Sequence, residues 1–287
     1  MTESPRDPLR PLRIAYLGPA GTFTEQAAVL FAGDNAHLDF VPYSSITASA
    51  EAVAQREADV AIVPFENSLA GAVGETHDLI IHQLNLFIVD ELVIPIEHCL
   101  IAAPDADTSE IRVIYSHPQA LGQCQRYLTR RFPDARTEAT LSTSQAVARA
   151  IEVGDRVVAI APRRAAVLHS AEILEIGIED DHRNATRFVV LAHNDHDPTG
   201  DDKTTMLFST ANRPGALLRV LKHFADADIN LTRIESRPAR ERLGSYLFLI
   251  DCDGHRSDPA LANALERLEP ELDRLRIIGS YPKAPRP

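Results

Sequence analysis

Cysteine is scarce in this chain: three occur in 287 residues, Cys99, Cys124 and Cys252, and no two form a CxxC pair. An odd number of cysteines at such spacing predicts neither a closed disulfide set nor a zinc finger, and suits a reducing cytoplasm. Positive charge is also short. Lys and Arg total 29 against 41 Asp and Glu, a formal net charge of -12. A nucleic-acid partner needs a basic stripe, and none is visible. No run of 18 apolar residues exists, so no membrane-spanning helix is expected. The opening MTESPRDPLRPLR lacks the apolar core of a signal peptide. The eleven histidines show no HExxH or other metal spacing, so no metal is expected. A GxSxG elbow is missing, which removes the usual acyl-transfer pattern.

What remains is ordinary globular material. Hydrophobic residues make up 45% and charged residues 24%, which fits a folded chain. The length predicts two domains. Strand RIAYL (13–17) leads through a turn at Gly18–Gly21 into helix TEQAAVLFA, which Thr22 or Thr24 can cap. Strand 40–42, helix 46–57 and strand DVAIVP (59–64) follow, and PFENSLAGAVGETHDLII is a loop running into a helix. A second β/α set starts near Leu86. It holds the strand-rich stretch 87–104, strand IRVIYS (111–116), one helix over 117–132, helix 142–154, strand 156–162, helix 163–169 and strand ATRFVVLA (185–192). Alternation of this kind predicts a mostly parallel sheet covered by helices. The polar stretch HNDHDPTGDD (193–202) reads as a domain linker, with His193 and His196 solvated. Beyond it the order is βαββαβ, a ferredoxin-like arrangement. Residues 1–12 and the end, PKAPRP, read as loose arms.

Several short motifs have two readings each. GPAGTF (18–23) sits between a strand and a helix, where backbone N–H groups can hold an anion; it is equally a tight turn. It is neither GxGxxG nor a P-loop, so no nicotinamide or nucleotide cofactor is expected. PFENSLAGAVGE places Glu66, Asn67 and Ser68 past the carboxyl end of a strand, the edge where open α/β sheets bind ligands. Helix capping by Asn67 or Ser68 is the structural alternative. In SHPQALGQC (116–124), Ser116 can cap the helix that Pro118 begins. STS (142–144) is a third cap-like start. NATRF (184–188) sets a hydroxyl beside a guanidinium at the mouth of an apolar strand. The guanidinium fork of Arg187 matches a carboxylate. Consecutive strand residues face opposite ways, so Thr186 and Arg187 share one site only if the strand begins after them.

In this order, GPAGTF, PFENSLAG, SHPQALGQC, STSQAVA and NATRF resemble the successive signatures of prephenate dehydratases. GALLRVL (215–221) and ESRP (235–238) resemble the two phenylalanine-binding signatures of the ACT domain attached to those enzymes. The resemblance spans residues 13 to 281. It implies an α/β, two-lobed, periplasmic-binding-protein-like (type II) catalytic domain over 13–196, with lobes at 13–90 plus 178–195 and at 91–177. A ferredoxin-like ACT domain at 203–282 follows. The implied reaction is the decarboxylating dehydration of prephenate to phenylpyruvate, with no cofactor.

The resemblance also implies roles. Thr186 donates a hydrogen bond or relays a proton to the departing hydroxyl; the chemistry of the reaction adds Glu66, if buried and protonated, as an alternative proton source, and Arg187 to hold a carboxylate. Gly21, Thr22, Asn67, Ser68, Ser116, Gln119, Ser142, Thr143, Asn184 and Phe188 are expected to bind substrate. L-Phenylalanine, as allosteric inhibitor, is expected at Gly215, Ala216, Leu217, Asn230, Leu231, Glu235, Ser236 and Arg237, at a subunit interface of a homo-oligomer (dimer or tetramer). With twelve residues before the first strand, no chorismate mutase activity is expected. A chain ending near residue 196 is expected to stay active and lose inhibition. Two other readings stay open: arogenate dehydratase, and a non-catalytic amino-acid-binding protein of the same fold.

Overall fold

A computed structural model describes residues 11–33, 37–240 and 245–285. Residues 1–10 and 286–287 of the two expected arms lie outside them. In chain order the elements are β1 (Leu12–Leu17), α1 (Phe23–Ala32), β2 (Leu38–Tyr43), α2 (Ile46–Ala54), β3 (Val60–Asn67), the two-residue β4 (Gly71–Ala72) and α3 (Gly74–His82). Then come β5 (Phe87–Pro95), β6 (Cys99–Ala102), β7 (Val113–Ser116), α4 (Pro118–Gln123), α5 (Gln125–Arg131), β8 (Arg136–Ala139), α6 (Thr143–Val153), β9 (Val157–Ala161), α7 (Arg163–His169), β10 (Glu172–Ile176) and β11 (Ala185–Ala192). The remainder is β12 (Asp202–Ser209), α8 (Ala216–Asp226), β13 (Leu231–Pro238), β14 (Tyr246–Asp253), α9 (Pro259–Leu268) and β15 (Arg274–Pro282). Among the described residues no helix is long and apolar enough to cross a membrane.

These strands form three sheets, ordered β2-β1-β3-β11-β5 with β4 on β3, then β10-β6-β9-β7-β8, then β13-β14-β12-β15. The first two make a two-lobed, periplasmic-binding-protein-like (type II) α/β body; the third is the ferredoxin-like βαββαβ sheet. Strand β9 shows why such a sheet forms. Its sequence VVAIA is apolar at every position because both faces are covered. Val157, Ala159 and Ala161 enter one core cluster with Val147 and Ala165, while Val158 and Ile160 enter another with Ile114 and Leu128.

Several local expectations are corrected. The helix expected over 117–132 is two helices, broken at Cys124 (φ -113, ψ 13). Strands β8 and β10 were not foreseen. Both are sheet edges, mostly exposed, and carry no clean alternation. Ser116 does not cap α4. It ends a fully buried strand and donates to Ile160 O at 2.6 Å, and His117 is the N-cap instead.

Packing divides the chain into two compact units. One holds the described residues up to Thr76 together with Leu92–Phe188; the other holds His77–Glu91 and the described residues from Val189 onward. The second unit ties its early segment tightly to the βαββαβ sheet. Arg276 donates to the carbonyls of Ile80 (3.0 Å) and Leu84 (2.9 Å) at the end of α3. Lys203 meets the buried carboxylate of Glu91 at 2.6 and 2.8 Å. A Cβ on Gly279 would lie 2.0 Å from Ile88 O, so β15 approaches β5 as closely as a bare backbone permits. The polar stretch 193–202 is pinned to this unit as well. Asp202 accepts from Thr199 N and Gly200 N, Asp195 pairs with Arg256 at 2.9 Å, and His255 Nε2 meets His196 O at 3.0 Å.

Candidate active site

A crevice of about 340 Å³ opens within the first unit. The β1–α1 loop contributes Leu17, Gly18, Thr22, Phe23 and Thr24; β3 and the turn after it contribute Pro64, Asn67 and Val73; β11 contributes Thr186 and Phe188. From the other lobe come Ile96 and His98, then His117, Gln119, Ala120 and Gln123 around α4, and Leu141, Ser142 and Thr143 at the start of α6. Two well-made helix starts therefore border it. Thr22 caps α1, its hydroxyl accepting from Glu25 N at 3.4 Å. Ser142 caps α6, accepting from Gln145 N at 3.0 Å, while the Gln145 side chain accepts from Leu141 N at 2.9 Å. That exchange is a capping box displaced by one residue. Such starts present unpaired N–H groups and a positive dipole end, which favour anions.

The centre of the site is an amide–hydroxyl network. Asn67 Oδ1 accepts from Leu69 N (3.1 Å) and Ala70 N (2.8 Å), which fixes the orientation of its amide. Its Nδ2 is thereby aimed at Asn184 Oδ1 (2.7 Å), Ala185 O (3.1 Å) and Thr186 Oγ1 (3.0 Å). Thr186 is only 8% exposed and lines the crevice. Its oxygen already accepts a hydrogen bond, so its own proton is left to donate, and the Asn67 donor makes that proton a better one.

From the expected substrate set, Thr22, Asn67, Gln119, Ser142, Thr143, Thr186 and Phe188 line the crevice. Gly21, Glu66, Ser68, Ser116, Asn184 and Arg187 are not in its lining. Ser68 is exposed and bridges Arg183 O (3.2 Å) and Ala185 N (3.0 Å). Asn184 is buried behind Asn67. Arg187 follows strand alternation away from Thr186. Its guanidinium stacks on Phe65, 4.9 Å from the ring centre, and lies 3.8 Å from Glu66. Glu66 is 39% exposed, so the burial attached to its role as proton source is not met. Arg187→Lys is expected to lower the thermal midpoint by a few degrees through loss of the planar stack, with KM within about twofold of wild type. A large KM change at unaltered stability would return Arg187 to the substrate.

Two crevice groups escaped the sequence reading. His98 is 2% exposed, stacks edge-on against Phe23 (5.5 Å), and its Nε2 meets Gln123 Oε1 at 2.8 Å. Burial pushes the pKa of its imidazole below the usual value, although Gln123 and Glu179 pull the other way. A lone histidine in an apolar stretch reads as core, so no signal set it apart. His117 was hidden beside Pro118. Behind the crevice, Glu25 accepts from Gly21 N at 2.6 Å and takes two hydrogen bonds from Arg164, both at 3.0 Å. Burial pushes its carboxyl up, but Arg164 and the Gly21 N–H outweigh that and hold it below the usual range. Burial and the Glu25 charge raise the nearby Tyr16 to about 12.

In the second unit, Gly215 (φ 76) is the N-cap of α8, and Ala216 and Leu217 border an open hollow with Arg213, Tyr246, Asp273 and Arg274. Asn230, Leu231, Glu235, Ser236 and Arg237 lie outside that hollow's lining. Asn230 donates to Asp253 (3.0 Å), and Glu235 is paired with Arg233 and Arg237. Among the described residues no cluster of three potential metal ligands occurs.

A family model for prephenate dehydratase matches residues 14–196, and one for the ACT domain matches residues 204–270. A bifunctional chorismate mutase/prephenate dehydratase of Neisseria gonorrhoeae is 41% identical over 276 residues, covering 96% of this chain and 75% of its own length. The solved structure of prephenate dehydratase in complex with L-Phe from Arthrobacter aurescens is 34% identical, with TM-score 0.84 over 94% of this chain and 90% of that one. A structure described as GqqA, a novel type of quorum quenching acylase, is 32% identical, with TM-score 0.85 over 95% of this chain and 98% of that one.

Proposed function

The chain belongs to the prephenate dehydratase family and is a carbon–oxygen lyase with an ACT domain; on that premise we propose that the crevice binds prephenate and that Thr186 is the group that lets its hydroxyl leave. The supporting observation is the Asn67 amide donating to Thr186 Oγ1 at 3.0 Å, which reserves the hydroxyl proton for a ligand in the crevice. Electrons of the bond to the ring carboxylate move into the ring as CO₂ departs. They expel hydroxide from the opposite carbon, which takes up a proton and leaves as water, and the ring becomes aromatic. An unassisted threonine is a weak acid, so its part is a strong hydrogen bond or a relay from solvent. The carboxylates of the dianion suit the helix starts at Thr22 and Ser142 and the side chains of Gln119 and Thr143.

Residues 13–196 then form the catalytic part, with lobes at 13–90 plus 178–195 and at 91–177, and residues 203–282 the regulatory part. Phenylalanine bound to the latter lowers turnover in a cytoplasmic homo-oligomer, through a coupling free energy shared by both ligands. Prephenate is the substrate of this reading, and arogenate is its alternative. Ultraviolet assay of phenylpyruvate from prephenate tests the activity, with phenylalanine titrated in and the solution mass followed. Turnover of prephenate is expected, with inhibition by phenylalanine, and arogenate is assayed beside it. Faster turnover of arogenate would favour the alternative substrate, and failure to turn over either would remove the dehydratase reading.

A further inference from the structure

We propose that Glu25 and Arg164 form a clamp across the two lobes of the first unit and act as positioning residues for the dehydratase reaction. Glu25 lies in the first turn of α1, in one lobe, and Arg164 on α7, in the other, 139 positions away. Their contact is fork to fork: Nε reaches Oε2 at 3.0 Å and Nη2 reaches Oε1 at 3.0 Å. Such bidentate pairs add geometric specificity to charge. The carboxylate is 7% exposed and the guanidinium 37%. Removing the guanidinium would leave a buried carboxylate without its cation, which costs more than losing a surface ion pair.

A second observation marks the same spot. Gly21 has φ +86, and a Cβ there would sit 2.6 Å from Ser144 Oγ and 3.1 Å from Ala165 Cα. The β1–α1 loop therefore lies directly on α6 and α7 of the opposite lobe, and Glu25 holds the Gly21 N–H in that position at 2.6 Å. Ser144 is steadied in turn by His169 Nε2 at 3.2 Å.

The clamp touches the crevice from both sides. Thr22, Phe23 and Thr24 follow Gly21 and line it, and Ser142 and Thr143 precede Ser144 and line it. Among the described residues the other ties between the lobes gather mostly where the chain crosses from one to the other: Glu179 accepts from His98 N at 2.8 Å, Asp180 accepts from Arg126 N (2.8 Å) and Tyr127 N (3.1 Å), and Phe23 packs edge-on against His98. The crossing segments are joined by Ile96 N to Asn184 O (2.8 Å), and Gly177 N reaches His98 O (3.0 Å). Those bonds hold a hinge together through any opening, whereas the Glu25–Arg164 pair can part to admit a ligand and re-form. Losing the clamp lowers the fraction of closed enzyme, and apparent affinity falls in proportion. Substrate at saturation still drives closure, so kcat is spared.

The test measures turnover and lobe separation independently. It rests on the crevice being the substrate site, and the distance readout does not need that to be true. The native cysteines are all buried, so spin labels at Val29→Cys on α1 and Val153→Cys on α6 report the lobe distance. In Arg164→Gln, KM for prephenate is expected to rise about tenfold with kcat within about twofold, and the unliganded distance distribution to broaden to longer values. Arg164→Lys keeps the charge without the fork and should fall between, which also covers misfolding of the glutamine variant. Unchanged distances in Arg164→Gln would overturn the clamp whatever KM does. Longer distances with an unaltered KM would uphold the clamp and count against the crevice as the substrate site.

Discussion

Thr186→Ala is expected to cut kcat by about a hundredfold or more while the protein stays folded. The side chain is small and its site is polar, so truncation leaves a hole that water can fill. The lost hydroxyl lines the crevice, and its oxygen is held by the oriented side-chain amide of Asn67. Thr186→Ser should keep part of the rate, because the hydroxyl remains but the β-branch that locks its rotamer is gone. Asn67→Ala supplies the cross-check. It removes the donor to Thr186 Oγ1 and the acceptor for Leu69 N and Ala70 N. If the two residues act as one unit, the double variant should be little worse than Thr186→Ala alone. Steady-state kinetics beside a denaturation curve reads all of this. Near-normal turnover in a folded Thr186→Ala would take the hydroxyl out of the chemistry and leave the crevice as a binding site without its acid.

How far the site could be read in advance follows from the range of the interactions. The order of strands and helices was legible because it rests on local periodicity: VVAIA and ATRFVVLA are buried strands by composition alone. Edge strands β8 and β10 were not, since a strand exposed on most positions has no apolar pattern to find. Alternation already warned that Thr186 and Arg187 point apart, and they do. Which of the two faces the crevice depends on β3 lying beside β11, a pairing between distant segments. The Asn67–Thr186 bond spans 119 positions and the Glu25–Arg164 bond 139, and no local pattern can announce either. His98 was invisible for the opposite reason: its neighbours are so apolar that a ligand-facing histidine and a core histidine look alike.

Ending the chain near residue 196 is expected to abolish activity by unfolding, contrary to what the linear order of motifs suggests. The segment His77–Glu91 packs with the C-terminal residues. Truncation would strip Arg276 from the carbonyls of Ile80 and Leu84, Arg240 from Asp78, and both Lys203 and the Ala284 N–H from Glu91. Glu91 is 5% exposed and Ile88, against which Gly279 lies, is fully buried, so losing the sheet would open both to water. Uncovering apolar surface costs about 25 cal/mol per Å², and a domain is held folded by only ~5–15 kcal/mol. The damage would reach the crevice through α3. Its Thr76 hydroxyl holds Pro64 O at 2.6 Å, and both Val73, just before the helix, and Pro64 line the site. The shortened chain should therefore aggregate or lack a cooperative thermal transition, with turnover of prephenate below a few per cent of wild type. A soluble chain ending at residue 196 that melts cooperatively and turns over prephenate at the full rate would mean that His77–Glu91 holds its place without the sheet it packs on.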